Sequence, residues 1–119
     1  MGYKDVYAAW KADPEAFWME AAQAIDWDKP PTRALNDDNA PLYEWFTEAE
    51  VNTCWNAVDR HVKAGRGEQA AIIYDSPVTE TQATITFAEL QDQVAGLAGA
   101  LAARGVTKGD RVIIYMPMV

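Results

Sequence analysis

The chain has 119 residues, long enough for one ordinary domain, and its 50% hydrophobic content with thirteen aromatic side chains excludes a core-poor, disordered polypeptide. Eighteen acidic and ten basic side chains give a net charge of −8, and twelve of the acids lie in residues 1–62. This negative charge repels phosphate backbones and anionic lipids, so nucleic acid and membrane surfaces are excluded as default partners. A solvated acidic face that aids solubility is the simplest interpretation of the charge.

The compartment follows from the cysteine count and the N-terminal residues. Cys54 is the single cysteine and has no partner for an internal disulfide, and no apolar signal segment occupies Met1 to Trp10. Charged residues interrupt each apolar run before it reaches the length of about 18 residues that spans a membrane. The sequence therefore predicts a cytosolic protein.

The first predicted helix begins at Asp13 and Pro14, because Asp accepts hydrogen bonds from free backbone N–H groups and Pro fits the first helical position. Its apolar residues continue to about Ile25. The segment from Asp26 to Pro41 contains three prolines and many polar residues, which indicates an extended connector.

A second helix is predicted from Glu48 to Val62. Its apolar residues recur at helical spacing and form one face: Val51, Trp55, Val58 and Val62. Gly65 and Gly67 follow and indicate the end of the helix.

A β-hairpin and a third helix follow. We expect a short buried strand at Ala70–Tyr74, a turn at Asp75–Pro77 and a second strand at Ala83–Phe87. Thr86 and Glu89 have capping-box spacing, which predicts the start of a helix. The core stripe of this helix consists of Leu90, Val94, Leu97 and Leu101, and Gly105 is its C-terminal cap.

The last predicted element is a strand at Val112–Met116. This run has no polar alternation, which is typical of a strand covered on both faces in a parallel sheet. A strand, helix, strand order predicts a right-handed crossover and a parallel neighbour. A strand of this kind is usually followed by a helix, and none follows here, so we expect the chain to be a piece of a larger protein.

Cys54 and His61 are the first candidates for chemistry, since a thiol and an imidazole seven residues apart share a helix face. Seven residues span about 10 Å along a helix axis, too far for direct proton transfer, so a small buried thiol and a surface or capping histidine are favoured. A metal site is disfavoured as well, because zinc needs three or four such ligands and the chain has one Cys and one His.

Two further patterns have a structural interpretation beside a functional one. Gly65 to Gln69, "GRGEQ", has the glycines of a phosphate loop but follows a helix and lacks the lysine, so a helix-ending turn is favoured. The five tryptophans suit a ligand-stacking surface, although aromatic residues in helical segments are more often core. They are Trp10, Trp18, Trp27, Trp45 and Trp55.

Several stretches together resemble the start of the AMP-forming acyl-CoA synthetases of short carboxylic acids. The resemblance covers nearly the whole chain and is carried by Asp13–Trp27, Trp45–Val62, Ala70–Thr81 and Thr84–Met118. The stretches "IYDSPVTET" and "NTCWNAVDR" are more similar to propionyl-CoA than to acetyl-CoA synthetases. Family members often have Tyr in place of Phe87, and Gly near Glu48–Glu50, departures that affect no catalytic position.

The resemblance implies a parent enzyme that activates propionate or acetate with ATP and Mg²⁺ to an acyl adenylate and transfers the acyl group to CoA. The family's phosphate loop, ribose-binding acid and mobile C-terminal domain have no matching motif here. None of the seven glycines, at positions 2, 65, 67, 96, 99, 105 and 109, lies in such a loop. We therefore expect no catalytic, cofactor-binding or metal-binding residue in this chain, and no activity from it alone.

The predicted fold class is α/β. Residues 1–65 form a helical and extended N-terminal segment that wraps the parent enzyme, and residues 66–119 form a hairpin and a strand-helix-strand unit, the incomplete start of the adenylate-forming large domain. The expected partner is the remainder of that domain, and the apolar faces of Trp18, Trp55 and Ile114 predict self-association of the chain alone. The alternative is a freestanding acidic protein-interaction module that uses the same aromatic faces.

Overall fold

The computed structural model describes residues 2–117, so Met118, the last residue of the stretch that resembles the synthetases, lies outside the described residues. Contacts between backbone segments divide the chain into two compact units, Met1–Asn56 and Ala57–Val119. Each unit combines helices with small antiparallel sheets, which agrees with the predicted mixture of helices and strands. The predicted division at residue 65 stays a prediction.

The first unit begins with two helices joined at Asp13. Helix α1 spans Tyr3–Ala12, and α2 spans Pro14–Ala21 with a 3₁₀ turn at Ala22–Ala24. The Oδ1 of Asp13 accepts a hydrogen bond from the backbone N–H of Ala16 at 2.9 Å, which confirms the predicted start of α2. Helix α1 was not predicted.

Four short strands follow in the first unit: β1 Trp27–Lys29, β2 Leu35–Asn36, β3 Glu44–Trp45 and β4 Glu50–Val51. Strand β1 pairs antiparallel with β4, and β2 pairs antiparallel with β3. The predicted extended connector therefore exists, and two of its segments enter these small sheets.

The predicted helix start at Glu48 is wrong. Glu48 has φ +67°, which a right-handed helix does not accept, and Glu50–Val51 form strand β4. The helix begins at Thr53 instead, and the side chain of Asn52 caps it by accepting the backbone N–H of Trp55 at 3.0 Å. It continues through π-helical segments at Trp55–Asp59 and Val62–Arg66.

The second unit contains the predicted hairpin and helix. Strands β5 (Ala70–Ser76) and β6 (Thr81–Thr86) pair antiparallel, and α3 spans Phe87–Ala103. The capping box is confirmed, since the backbone N–H of Glu89 donates to Thr86 Oγ1 at 3.2 Å and Glu89 Oε2 accepts the backbone N–H of Thr86 at 2.8 Å. The turn lies two residues later than predicted, at 77–80.

Burial in the second unit differs from the prediction. Strand β5 is not buried, because Ile73 is 80% exposed, and the α3 stripe is open at Leu97, which is 64% exposed. Val58 is buried, as expected of the apolar face to which it belongs.

The predicted strand at Val112–Met116 is also wrong for this structure. Residues 111–117 form no regular element, and the five apolar side chains are between 57% and 98% exposed. All strand pairs among residues 2–117 are antiparallel, so the parallel neighbour that this strand requires is not among the described residues. Without a neighbour the run has no ladder of hydrogen bonds to join.

Candidate functional site

An open cleft of about 650 Å³ in the first unit is the strongest candidate for a site. Helices α1 and α2 supply Trp10 and Trp18, and strands β2 and β3 supply Leu35 and Trp45. These apolar groups share the lining with Asp13, Pro14, Glu15, Ala34 and Asp37. An aromatic surface beside carboxylates suits a ligand that has an apolar body and a positive charge.

Glu15 fixes strand β2 against helix α2 at this cleft. Its carboxylate accepts the backbone N–H of Ala34 through Oε1, and the N–H of Leu35 through Oε2 at 3.4 Å. Ala34 is 1% exposed, which makes it one of the most buried residues described. Because β2 places Leu35 opposite Trp45 on β3, the same carboxylate also sets the position of the cleft wall.

The aromatic rings near the cleft pack edge to face. The centroids of Trp18 and Trp45 are 5.6 Å apart with an angle of 80° between the rings, and Phe17 meets Trp18 at 5.2 Å and 85°. Trp45 also contacts Phe46 at 5.9 Å. These are favourable aromatic geometries, and they hold the indole rings in place without burying them.

The prediction that the tryptophans are core is wrong for the three that line the cleft. Trp10 and Trp18 are each 38% exposed, and Trp45 is 51% exposed. Trp27 and Trp55 are half-buried and satisfied, since their indole N–H groups donate to the carbonyl of Ala22 at 2.8 Å and to the carboxylate of Asp26 at 3.0 Å.

Helix α1 is the element of the cleft that sequence reasoning missed. Its aromatic residues Tyr3, Tyr7 and Trp10 are spaced by four and three, which is the helical signal that was available. The rings of Tyr3 and Tyr7 stack at 6.0 Å, and Tyr7 contacts Trp10 at 5.6 Å. This row of aromatic contacts ends at the cleft.

The structure gives Cys54 and His61 separate surroundings. Cys54 is exposed in the first turn after the Asn52 cap, so the expectation of a buried thiol is wrong. The ring of His61 packs on Phe87 with centroids 4.7 Å apart, and its Nδ1 accepts a hydrogen bond from Arg66 Nη1 at 3.1 Å. Partial desolvation, then the charges of Arg66 and Arg60, lower the pKa of His61, which favours the neutral imidazole. The absence of a catalytic role stays a prediction.

The Gly65 to Gln69 segment is confirmed as a helix-ending turn. Gly65 has φ +80°, and the backbone N–H of Gln69 donates to the carbonyl of Arg66 at 3.0 Å. The carbonyl groups of Gly67 and Gln69 accept the N–H groups of Ala88 and Phe87, each at 3.0 Å, in the first turn of α3. The turn therefore satisfies two of the donors that a helix start leaves open.

Within residues 2–117, no three side chains of His, Cys, Asp or Glu come together in an arrangement that suits a metal ion. No helix in the same range is both long enough and apolar enough to cross a membrane.

Two family descriptions match adjacent parts of the chain. "Acetyl-coenzyme A synthetase N-terminus" matches residues 3–57, and "AMP-binding enzyme" matches residues 58–119. The junction between the two matches lies within one residue of the division between the two compact units.

Several individual proteins that are similar to nearly the whole chain are also named as acyl-CoA or acetyl-CoA synthetases. The mitochondrial acyl-CoA synthetase short-chain family member 3 is 53% identical in Bos taurus and 52% identical in Homo sapiens, each over 98% of this chain and 17% of the relative. An acetyl-coenzyme A synthetase of Paraburkholderia phymatum is 44% identical over 98% of this chain and 18% of the relative. The chain thus spans less than a fifth of the length of these relatives.

Proposed function

The chain belongs to the AMP-binding enzyme family, in which it carries the N-terminal segment of acetyl-coenzyme A synthetases, and from this premise we propose that it is the N-terminal scaffold of a short-chain acyl-CoA synthetase. The observation that carries the proposal is the contiguous order of the two matches, an N-terminal segment at residues 3–57 followed by the AMP-binding match at 58–119. In this proposal residues 1–65 form the N-terminal segment, and residues 66–119 begin the adenylation domain.

The proposed reaction of the whole enzyme has two steps. The carboxylate of the acid attacks the α-phosphate of ATP to form an acyl adenylate and release pyrophosphate, and the thiol of CoA then displaces AMP from the acyl group. We propose that this chain supplies no site for ATP, Mg²⁺ or CoA, and the helix-ending turn formed by the glycines of 65–69 supports this proposal. We therefore assign no chemical step to this chain, whose partner is the remainder of the large domain.

Propionate is the proposed acid, with acetate as the second choice. The relatives named acyl-CoA synthetase short-chain family member 3 are 52–53% identical to the chain, whereas those named acetyl-coenzyme A synthetase are 43–44% identical. The proposal agrees with the resemblance of the 73–81 and 52–60 stretches to propionyl-CoA synthetases.

The test is acid-dependent exchange of pyrophosphate into ATP. The synthetase polypeptide that contains these residues is assayed with acetate, propionate and butyrate, beside the 119-residue chain. We expect the highest kcat/KM with propionate and no exchange by the chain alone. Exchange catalysed by the purified chain contradicts the scaffold role, and a preference for acetate contradicts the choice of acid.

The cytosol is the proposed compartment, although the relatives with 52–53% identity are named mitochondrial. Fractionation of the source cells, followed by detection of the synthetase, tests this proposal. A signal confined to an organelle contradicts it.

A further inference from the structure

We propose that the cleft lined by Trp10, Trp18 and Trp45 is the docking site for a segment of the synthetase polypeptide outside these 119 residues, and that this segment inserts an arginine or lysine side chain. We call this surface the tryptophan cleft. The inference rests on the proposed function, because it takes the occupant from the same enzyme. It adds the place of docking and the chemistry of the docking group.

The aromatic wall of the tryptophan cleft suits a cation. Trp18 and Trp45 meet edge to face, with an angle of 80° between the rings. Trp45 retains 51% of its exposure, so it is accessible to an incoming group. The face of an indole ring attracts a guanidinium or ammonium group more strongly than other aromatic side chains do.

The charge at the cleft is negative and only partly balanced. Asp13 and Glu15 accept hydrogen bonds from neutral backbone N–H groups, which leaves their charge in place. The ion pair between Asp37 and Arg33, at 3.3 Å, is on the surface, where both side chains are well exposed and the attraction is weak. In the wider unit, residues 1–56 carry eleven acids and four bases.

The size of the cleft favours a polypeptide segment as the occupant. The cleft has a volume of about 650 Å³, which lies in the range of clefts that enclose most of a drug-sized ligand. Such a ligand is larger than one side chain. Leu35 and the tryptophan rings offer apolar surface to the residues that flank the cation. About 83% of the length of the relatives has no counterpart in this chain, so the enzyme has ample polypeptide to supply the segment.

The first experiment measures the chemistry of the cleft in the 119-residue chain. The probe is the peptide acetyl-Gly-Leu-Arg-Leu-Gly-amide, and its control is the same peptide with citrulline, which keeps the shape of arginine without the charge. Binding is followed by the NMR signals of the indole N–H groups. We expect the arginine peptide to bind about tenfold more tightly than the citrulline peptide and to shift the signals of Trp10, Trp18 and Trp45.

A pair of matched variants tests whether the acidic edge supplies the preference. Asp37→Asn and Asp38→Asn each remove one contact to Arg33, at 3.3 Å and 3.4 Å, but only Asp37 lines the cleft. We expect Asp37→Asn to weaken binding of the arginine peptide roughly threefold or more, and Asp38→Asn to change it less than twofold. Equal effects of the two variants, or equal binding of the two peptides, overturn the proposal.

The second experiment repeats the titration with the synthetase polypeptide that contains this chain. We expect no binding of the arginine peptide there, because the enzyme's own segment fills the cleft. Equal binding to the chain and to the longer protein overturns the proposal, since it leaves the cleft open to an outside partner. Concentration-dependent shifts confined to the indole signals of Trp10, Trp18 and Trp45, in the absence of peptide, overturn it as well, because they identify a second copy as the occupant of the cleft.

Pyrophosphate exchange, measured on the same samples of the longer protein, separates this inference from the proposed function. An inactive longer protein that excludes the peptide contradicts the function but supports the docking site. An active one that binds the peptide supports the function and contradicts the docking site.

Discussion

Glu89 makes the start of α3 sensitive to pH. Its Oε2 accepts the backbone N–H of Thr86 at 2.8 Å and Thr86 Oγ1 at 3.1 Å, and these two hydrogen bonds, the backbone one first, lower the pKa of Glu89 below its usual value. A carboxyl group with a lowered pKa in the folded state adds stability above its unfolded-state pKa, and this stability is lost as the pH falls through the folded-state value. Unfolding of α3 should therefore become easier at low pH.

The variant Glu89→Gln tests this, because Gln keeps the acceptor of the capping box and removes the charge. We expect wild type to be more stable than the variant at pH 7 and the difference to shrink as the pH falls below about 4.5. Urea unfolding followed by circular dichroism at several pH values provides the measurement. Glu80→Gln, in the hairpin turn, is the charge control, and a similar pH dependence in that variant contradicts the assignment to Glu89.

Single caps were predictable from the sequence because their atoms lie within four residues. Asp13 bonds to Ala16 and Thr86 to Glu89, and the spacing alone identifies both pairs. The contact between Glu15 and Ala34 was not predictable in this way, since nineteen residues separate the partners and any carboxylate nearby has the same chemistry. This longer contact fixes the strand that forms one wall of the tryptophan cleft. The positions of the tryptophans could therefore be read from the sequence, but their exposure could not be predicted from local patterns.

At the scale of the elements, replacing Gly65 or Gly96 by alanine is expected to change the stability of the chain in opposite directions. Gly65 has φ +80° at the end of the π-helical segment, whereas Gly96 lies inside α3, and an added Cβ meets no atom within 4 Å at either position. Gly65→Ala should therefore destabilise the 119-residue chain by about 1 kcal/mol through backbone strain alone. Gly96→Ala should stabilise it by about 0.5–1 kcal/mol, because Ala loses less conformational freedom in a helix.

Urea unfolding of the two variants beside wild type measures these changes. The variants control for each other, since both add one methyl group in open space. A loss of stability in Gly96→Ala means that the helix face is packed in solution, which contradicts the open surface around it.

The helical spacing of apolar residues predicted one element boundary wrongly. Val51, Trp55, Val58 and Val62 have helical spacing, but Val51 belongs to β4, which pairs with β1 more than twenty residues earlier. The same apolar residue suits either element, and the distant pairing decides between them. The hairpin and α3 were predictable because their turn, cap and stripe are local. The strand at 112–116 was predicted from an apolar pattern alone, and no parallel partner for it is present among the described residues.

At the scale of the whole molecule, exposed apolar surface is the dominant property of the second unit. Ile113 and Ile114 are 87% and 82% exposed, and Tyr115 is 98% exposed. A run of this kind has unpaired backbone groups as well as apolar side chains, which is the combination that promotes strand pairing between copies. The net charge of −8 opposes association, but its acids lie mostly in the first 62 residues.

We therefore expect the 119-residue chain to self-associate at concentrations of about 10–100 µM in 0.15 M salt, and the double variant Ile113→Lys, Ile114→Lys to weaken association at least tenfold. Both lysines interrupt the apolar run and add repulsion between paired copies. Sedimentation velocity across that concentration range is the measurement. The double variant Gln93→Lys, Ala102→Lys adds the same charge to exposed positions of α3 and controls for the change in net charge. Equal weakening in both double variants assigns the association to charge, and a wild-type chain that sediments as a monomer at 100 µM contradicts the prediction, because the 112–116 run then remains in water without a partner.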